Sequence, residues 1–339
     1  MSGTRTTQRS PTVVVVDPRG AAFSPAVVAL LTGAGCEVVT STAKDEDEVI
    51  ATVRDADGII FTGTISRRFI EALTRCRVIA RTSIGMDIVD GVDLATEKGI
   101  VLCNMPGIIE EEVADHTWAL VLAVGRRLLP IDGYVRSGGW GRGEPVPAHD
   151  IPRMYGSTMG LVGFGRIGRA VARRALGFGM RVIAHDPLVT PSEFVAHSVE
   201  VGTLGEVLQD SDVVSLHVPL TPETFHLIGT RELAMMRRQA ILINTARGPV
   251  VQGEALVEAL GAGTIAGAGL DVAEEEPVAA DHPLCKFDNV VLSPHWASRS
   301  RFTEHERHIR PAQEVIAVLG GLRPRAAWNR EVLEGLGLR

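Results

Sequence analysis

Two kinds of segment alternate along the first hundred residues of the chain: short apolar runs and longer amphipathic stretches. The apolar runs have the length of strands that are buried on both faces, and they lie at residues 13–16, 37–40, 58–61, 78–81 and 100–103. The amphipathic stretches have helical spacing, and they lie at residues 25–34, 45–54, 67–73 and 92–98. Ser24 is placed to cap the first of these helices. Alternating strands and helices predict a parallel α/β sheet.

A second strand–helix series begins at Met159. Its predicted strands lie at residues 161–162, 181–184, 213–218, 240–244, 266–270 and 290–292. Its predicted helices lie at residues 168–177, 203–209, 230–236 and 253–262. Six strands in this arrangement indicate a doubly wound dinucleotide-binding domain.

Two longer helices and one irregular segment complete the pattern. Residues 113–129 read as one helix whose middle is apolar nearly all round, which predicts burial on every side at a domain junction or a subunit interface. Residues 302–319 read as a helix that Pro311 should kink or break. The segment 138–155 is rich in Gly and Pro and predicts an irregular connection.

Composition and charge narrow the class of protein. A chain of 339 residues is long enough for about two domains. Its 45% of hydrophobic and 22% of charged residues are ordinary for a globular protein. The net charge of −7 argues against a nucleic acid partner, whose phosphates need a basic surface.

Cysteine usage and the lack of long apolar stretches point to a compartment. The four cysteines are far apart and none has CxxC spacing, so we expect neither a metal site nor a redox pair. Reduced thiols fit a cytosolic protein. The N-terminus, residues 1–11, lacks the apolar segment of a signal peptide, and the longest apolar stretch, residues 118–124, is too short to span a bilayer. We therefore predict a cytoplasmic protein with no membrane partner.

A glycine motif marks the start of the second series. Gly163, Gly165 and Gly168 have GxGxxG spacing, with a predicted strand before them and a predicted helix after them. The first glycine permits a tight turn, the second lets the backbone approach a pyrophosphate, and the third allows close helix–strand packing. The amides at the start of the helix then face the phosphates.

Asp186 follows the next strand, 18 residues after the last glycine of the motif. A carboxylate near this position accepts hydrogen bonds from the ribose hydroxyls and repels the 2′-phosphate of NADP. The alternative is an Asp that merely caps the end of its strand beside Pro187. The preceding glycine motif favours the first interpretation, and it predicts NAD as the cofactor.

Three later strands each run into a residue that can take part in acid–base or carboxylate chemistry: Arg247, Glu276 and His295. Ligands of open α/β sheets bind outside the carboxyl ends of the strands, so we expect these side chains to converge where nicotinamide would lie. Oxidation of a 2-hydroxy acid needs a base for the hydroxyl proton while hydride leaves C2, and histidine suits that role. A carboxylate such as Glu276 can fix the tautomer of His295. The guanidinium of Arg247 can bind a carboxylate through two hydrogen bonds.

Each of these three residues also has an ordinary structural interpretation. A His beside Pro is usually a structural or surface residue, a run of Glu before Pro is usually a solvated turn, and an Arg before Gly is usually a cap. Their joint occurrence, in this order after a dinucleotide motif, favours the catalytic interpretation.

Over about residues 78–319, the chain resembles the D-2-hydroxyacid dehydrogenase family, which includes D-3-phosphoglycerate dehydrogenase and the C-terminal-binding-protein corepressors. The stretches that carry the resemblance are Arg81–Asp87, Glu112–His116, Leu161–Gly168, His217–Thr224, Asn244–Gly248, Asp271–Pro277 and Ser293–His295.

The resemblance implies roles for particular residues. Arg247, Glu276 and His295 correspond to the catalytic Arg, Glu and His of the family. Backbone amides of Ser83, Ile84 and Gly85 would hold the substrate carboxylate. The residues implied to line the NAD site, in addition to the three glycines, are Arg166, Ile167, Asp186, Val218, Thr245, Ala246 and Asp271.

The resemblance also implies an architecture. A Rossmann-type NAD-binding domain, residues 106–296, would be inserted into a flavodoxin-like substrate domain formed by residues 1–105 and 297–339. Members of the family usually form homodimers through the nucleotide-binding domain.

Some positions depart from the family pattern. Ser83 replaces a usual glycine, and Ile88 replaces a usual asparagine. His295 is followed by Trp296, which either walls the substrate pocket or packs in the core. These differences leave the identity of the acid open among glyoxylate, hydroxypyruvate and 3-phosphoglycerate.

The sequence therefore predicts an NAD-dependent oxidoreductase that transfers a hydride between nicotinamide and C2 of a small D-2-hydroxy or 2-keto acid. One alternative is an NAD-binding corepressor or scaffold on the same fold, because fold does not determine function. Another is a Rossmann enzyme that acts on a different kind of substrate.

Overall fold

A computed structural model describes residues 9–18 and 24–339 of the chain. Most of the polar N-terminus considered above therefore lies outside the described residues. The chain divides into two compact units: a first unit within Met1–Ile108 and Ser300–Arg339, and a second unit of Ile109–Arg299. The predicted boundaries lie three residues away from these. Among the described residues, no helix is long and apolar enough to cross a membrane.

The first unit contains a five-stranded parallel sheet. Its strands are β1 (Thr12–Val16), β2 (Glu37–Ser41), β3 (Gly58–Phe61), β4 (Val78–Arg81) and β5 (Val101–Cys103). The strand order is β2-β1-β3-β4-β5, which is the order of flavodoxin-like folds. The helices between the strands are α1 (Pro25–Gly33), α2 (Glu46–Val53), α3 (Arg67–Ala72) and α4 (Val92–Glu97). The predicted elements of this region are confirmed to within about one residue at each end.

Alternate residues of β1, β3, β4 and β5 pack into two separate cores, which explains why these strands are largely apolar. Val14 and Ile59 belong to one core. Val13 and Val78 belong to the other. The side chains of a strand point to opposite faces in turn, so a sheet that is covered on both sides needs continuous apolar runs.

The second unit contains a seven-stranded parallel sheet. Its strands are β6 (Thr158–Val162), β7 (Arg181–His185), β8 (Glu200–Val201), β9 (Val213–Leu216), β10 (Ile241–Asn244), β11 (Gly267–Leu270) and β12 (Val290–Leu292). The order β12-β11-β10-β9-β6-β7-β8 places the first strand of this unit beside its second and fourth, as in the Rossmann fold. The prediction of six strands missed β8, because its two residues are exposed and form no apolar run.

Seven helices of the second unit connect and cover these strands. They are α5 (Glu110–Gly125), α6 (Leu128–Arg136), α7 (Arg166–Gly177), α8 (Pro191–Ala196), α9 (Leu204–Asp210), α10 (Thr230–Met235) and α11 (Gly253–Gly261). The helix α8 was not predicted.

The single helix predicted over residues 113–129 is wrong, because the chain forms α5 and α6 with a break between them. α5 ends at Gly125, and Arg127 has a left-handed backbone with φ of 53°. A methyl group on Gly125 would come within 2.6 Å of the end of the Met154 side chain, so a larger residue where the helix ends would require Met154 to move. Ala119 on α5 is exposed in the single chain, so burial of this helix on every side would need a partner subunit and stays a prediction.

The chain then returns to the first unit with α12 (Arg301–Leu319) and α13 (Val332–Gly335). The expected break at Pro311 does not occur, since α12 continues through it. Pro311 and Ala312 are buried, and Val315 packs so closely on β3 that a methyl group on Gly58 would lie 2.8 Å from it. This packing stabilises the helix despite the lost backbone hydrogen bond. Residues 138–155 are irregular, as predicted, apart from a 3₁₀ turn at Ala148–Asp150.

Candidate active site

The carboxyl ends of five neighbouring strands of the second unit lie side by side. The register pairs Val162 with Leu216, Leu216 with Asn244, Asn244 with Leu270, and Leu270 with Leu292. The turns that follow β6, β9, β10, β11 and β12 therefore start at neighbouring positions along one edge of the sheet. This edge carries the glycine motif and all three predicted catalytic residues.

The turn after β6 is built from glycines for steric reasons. Gly163 has φ of 97°, and a methyl group there would lie 2.7 Å from the His217 backbone. A methyl group on Gly168 would lie 2.4 Å from the Gly163 carbonyl oxygen. Around Gly165, by contrast, the described residues place no atom within 4 Å of the added methyl position. The turn thus packs tightly on its inner side and leaves open space at Gly165.

The open space at Gly165 adjoins the start of α7, where Arg166 is exposed and Ile167 is half-buried. The first backbone amides of a helix have no acceptor within the helix, and the helix dipole favours negative charge there. The residues present therefore fit a dinucleotide pyrophosphate.

Asp186 lies at the end of β7 and contacts the glycine turn directly. Its Oδ2 accepts the amide of Phe164 at 2.8 Å, and its Oδ1 accepts the amide of Leu188 at 2.9 Å. The local capping considered for this residue does occur, at Leu188. The contact with Phe164 also fixes the carboxylate beside the turn, where a ribose would lie.

Val218, Thr245 and Ala246 lie in the turns after β9 and β10. The Thr245 hydroxyl is 2.9 Å from that of Thr117 on α5, and the Ala246 amide donates to the Asn244 side chain at 3.0 Å. Asn244 is buried, and its side-chain amide donates to the Arg247 carbonyl at 2.9 Å. Asn244 thus fixes the turn that carries Arg247, although sequence reasoning gave it no role.

His295 and Glu276 form a hydrogen-bonded pair. Nδ1 of His295 is 3.0 Å from Oε2 of Glu276. The other carboxylate oxygen of Glu276, Oε1, accepts the Ala273 amide at 3.2 Å. The His295 side chain is 50% exposed, and its Nε2 has no partner in the part of the chain that the structure describes. An imidazole oriented through Nδ1 and open at Nε2 can exchange a proton with a bound molecule.

Asp271 anchors the turn on which His295 lies. Its carboxylate is only 1% exposed and accepts the Ser293 hydroxyl at 2.6 Å and the amides of Trp296 and Ala297 at 2.9 and 2.8 Å. Its carbonyl oxygen accepts the His295 amide at 2.7 Å. These contacts hold His295 in a left-handed backbone conformation, with φ of 58°.

His116 on α5 joins the same cluster, with Nε2 2.7 Å from the Ser293 hydroxyl. His116 and Ser293 lie in stretches that carry the family resemblance, but the sequence pattern predicted no part in the site for either. A histidine among the apolar residues of α5 was the available signal. Trp296 is 58% exposed, so the alternative that it packs in the core is wrong.

The proposed carboxylate loop, Ser83–Gly85, belongs to the first unit and follows β4. Asn104 donates to the Ile84 carbonyl at 2.8 Å, and the buried guanidinium of Arg81 donates to the Gly85 carbonyl. The amides of all three loop residues lack an acceptor within residues 9–18 and 24–339. The carbonyls of Ile84 and Gly85 thus accept hydrogen bonds from the protein, whereas the three loop amides are available to a ligand.

The described residues contain no group of His, Cys, Asp or Glu that could hold a metal ion. The groups along this sheet edge are an imidazole, carboxylates and backbone amides, together with the guanidinium of Arg247, which donates to the Ala246 carbonyl at 2.8 Å. They suit proton transfer and anion binding.

Comparison with known proteins agrees with this geometry. Residues 118–297, just over half of the chain, match the family model described as D-isomer specific 2-hydroxyacid dehydrogenase, NAD binding domain. The chain is similar to a glyoxylate reductase of Korarchaeum cryptofilum, with 44% identity over 84% of this chain and 86% of the relative.

Two solved structures are also similar. A glyoxylate reductase from Paecilomyes thermophila has a TM-score of 0.85 with 28% identity, covering 95% of this chain and 99% of that one. An NADPH-dependent glyoxylate/hydroxypyruvate reductase from Sinorhizobium meliloti, in complex with NADP and malonate, has a TM-score of 0.83 with 32% identity, covering 94% and 97%.

Proposed function

The chain belongs to the D-isomer specific 2-hydroxyacid dehydrogenase family, and we propose that it reduces glyoxylate to glycolate with NADH. Hydride transfer between a nicotinamide cofactor and a small 2-hydroxy or 2-keto acid is the chemistry of this enzyme. The observation that carries the proposal is the His295–Glu276 pair, with an imidazole nitrogen open to solvent at the edge of a dinucleotide-binding sheet. Relatives named glyoxylate reductases support the choice of acid.

The cofactor would be held by the turn after β6 and the start of α7. When bound, NADH supplies the hydride that is added to C2 of the substrate. Asp186 would accept hydrogen bonds from the ribose hydroxyls. Its negative charge would disfavour a 2′-phosphate, because two like charges close together repel each other. The residues that we propose to line the site are Gly163, Gly165, Arg166, Ile167, Gly168, Asp186, Val218, Thr245, Ala246 and Asp271.

His295 would act as the general acid. Reduction of the C2 carbonyl leaves a negative charge on its oxygen, and protonated Nε2 can donate a proton to that oxygen. Glu276, bonded to Nδ1, keeps the ring oriented and stabilises the imidazolium before transfer.

On the second unit, Arg247 would bind the substrate carboxylate. A guanidinium matches the two oxygens of a carboxylate, and it can also polarise the adjacent carbonyl. On the first unit, the backbone amides of Ser83–Gly85 are themselves suited to a carboxylate. They do not depend on any side chain of the loop, so Ser83 in place of glycine does not remove them.

We also propose that the enzyme is a homodimer that pairs through α6. None of the residues of α6 is buried, and the helix exposes Leu128, Leu129 and Val135, while Trp140 is exposed shortly after it. Contiguous exposed apolar side chains typically mark an interface. A cytoplasmic location fits the four cysteines, all of which are free thiols.

The proposal is tested by following NADH oxidation with glyoxylate, hydroxypyruvate and 3-phosphohydroxypyruvate, and by repeating each assay with NADPH. We expect the highest kcat/KM with glyoxylate and NADH. In His295→Ala, turnover should fall at least about 100-fold, because general acid catalysis typically contributes that much. A fully active variant would exclude His295 from this role. Protein that binds NADH and reduces none of the acids would favour the scaffold alternative.

A further inference from the structure

Three consecutive glutamates follow β11, and the structure gives each a different environment. Glu276 pairs with His295, as described above. Oε1 of Glu274 is 2.5 Å from Nε2 of His226, and its Oε2 accepts the amide of Gly253 at 2.6 Å. Glu275 is exposed, and no hydrogen bond or ion pair joins its side chain to the described residues. Glu274 therefore connects its loop to the segments of His226 and Gly253, as Glu276 connects it to His295.

His226 lies in the loop between β9 and α10, beside the residues that come directly after Arg247. Its backbone is left-handed, with φ of 52°, and its amide donates to the Pro249 carbonyl at 2.8 Å. Two residues later, Ile228 donates to Val250 at 3.0 Å. The ring that contacts Glu274 is thus fixed to residues just downstream of Arg247.

Backbone packing links the same two loops. A methyl group on Gly248 would lie 1.7 Å from the carbonyl oxygen of Ala273, and one on Gly253 would lie 2.8 Å from Oε2 of Glu274. No side chain separates the loop of Arg247 from the loop of Glu276. Closely packed interiors transmit displacements, so movement of residues 273–274 would reach both Arg247 and Glu276.

The carboxyl of Glu274 is ionised under ordinary conditions. Partial burial works to raise its pKa, but the Gly253 amide and the His226 ring outweigh that effect and hold the pKa below its usual value. A charged acceptor makes stronger hydrogen bonds than a neutral one, which suits an anchoring role.

We propose that His226 and Glu274 are a pair of positioning residues that fix the relative placement of Arg247 and Glu276, and through Glu276 the orientation of His295. This inference rests on the proposed reductase function for its kinetic consequence. Neither residue needs to touch substrate or cofactor.

The kinetic test compares His226→Ala, Glu274→Ala and the matched control Glu275→Ala. Small misplacements of catalytic groups are costly, so each of the first two should lower kcat for glyoxylate roughly 10- to 100-fold. KM for NADH should stay within about two-fold, because uniform cofactor binding is not affected. The control should match the wild type. The double variant should lose no more than either single variant, since both remove one interaction.

A second measurement does not depend on turnover. Hydrogen exchange followed by mass spectrometry should show faster exchange in peptides covering residues 245–252 and 272–277 in Glu274→Ala and not in Glu275→Ala. If Glu274→Ala does not fold, Glu274→Gln retains an acceptor for the Gly253 amide, and we expect partial loss of kcat.

The outcomes separate the two proposals. A wild-type protein that reduces no 2-keto acid would overturn the proposed function. The hydrogen exchange data would still test the positioning role of His226 and Glu274. The positioning role would be overturned if Glu274→Ala had the same hydrogen exchange and the same kcat as Glu275→Ala. It would also be overturned if the losses of kcat in the two single variants multiplied in the double variant.

Discussion

At the scale of single residues, hydrogen bonds from backbone amides determine where a carboxylate side chain is held. Asp186 accepts two amides, from Phe164 and Leu188, and its carboxylate is thereby fixed beside the glycine turn. Each carboxylate oxygen can accept more than one hydrogen bond, so these contacts leave capacity for ribose hydroxyls. The same negative charge would face the 2′-phosphate of NADP.

We expect Asp186→Ser to shift cofactor preference toward NADPH. Removing a like charge from the phosphate position relieves repulsion of several kcal/mol, so the ratio of kcat/KM for NADPH to that for NADH should rise about 100-fold. Steady-state kinetics with both cofactors measures the ratio. The exposed residue Asp281 provides the control, because Asp281→Ser should leave the ratio unchanged. An unaltered ratio in Asp186→Ser would mean that the adenosine ribose lies elsewhere.

His217 should make the fold sensitive to acid. Although part of its surface reaches solvent, desolvation lowers the pKa of its ring to about 3, and Nε2 lies 2.9 Å from the Ser215 hydroxyl. An unfolded histidine titrates near 6.5, so between these values the unfolded state binds the extra proton. The stability contributed by the neutral ring is therefore complete above about pH 6.5 and declines as the pH falls toward 3.

Urea denaturation at several pH values tests this expectation. The free energy of unfolding should fall less steeply below pH 6.5 in His217→Gln than in the wild type, by up to about 1.4 kcal/mol per pH unit. His305→Gln, at an exposed position of α12, should retain the wild-type slope. Parallel curves for all three proteins would show that His217 does not control the acid response.

At the scale of elements, α7 has one glycine in close contact at its first turn and another without such a contact at its last turn. A methyl group on Gly168 would lie 2.4 Å from the Gly163 carbonyl, whereas Gly177 has no described atom within 4 Å of that position. Two glycines of one helix therefore serve different purposes. The first permits approach of the helix to the glycine turn, and the second lowers helix propensity without a packing benefit.

These two positions form a matched pair of substitutions. Gly168→Ala should lower the free energy of unfolding by about 1–3 kcal/mol because backbone must shift to admit the methyl group, and NADH binding should weaken with it. Gly177→Ala should raise stability by about 0.5–1 kcal/mol. Thermal unfolding and NADH fluorescence titration measure both effects. Equal behaviour of the two variants would show that the contact at Gly168 relaxes easily.

Local pattern predicted most elements because strands that are buried on both faces and capped helices leave strong signals. It could not predict β8, whose two residues are exposed, or the continuity of α12, which depends on packing against β3 from far along the chain. The candidate site was likewise only partly predictable from local sequence pattern. The glycine motif and the order of strands indicated one edge of a sheet, but the separate roles of Glu274 and Glu276 depend on partners up to 48 residues away.

At the scale of the whole molecule, α6 is the part whose sequence is least consistent with a lone chain. It exposes large apolar side chains, Leu129 among them at 51%, and it contributes no buried residue. A stable interface typically covers roughly 800 Å² on each partner. A second copy of the chain would supply the missing cover.

Leu129→Arg should convert the dimer to a monomer. Burying an unpaired charge in the centre of an apolar interface costs more free energy than the leucine contributes to binding there. Association should therefore weaken at least about 100-fold. Size-exclusion chromatography with light scattering measures the mass. Leu322→Arg changes an equally exposed leucine, 53% exposed in the first unit, and should leave the mass unaltered. A wild-type chain that elutes with the mass of one copy would contradict the proposal directly.

The return of α12 to the first unit has a consequence for the order of events during synthesis. Val315 and Val318 complete a core that contains Val13 and Val78, yet the ribosome makes them after the whole second unit. The inserted unit can fold as soon as it emerges, because all of its strands are already available. Until then, α1 covers only part of that face of the earlier sheet, and the rest is what chaperones would encounter on the nascent polypeptide.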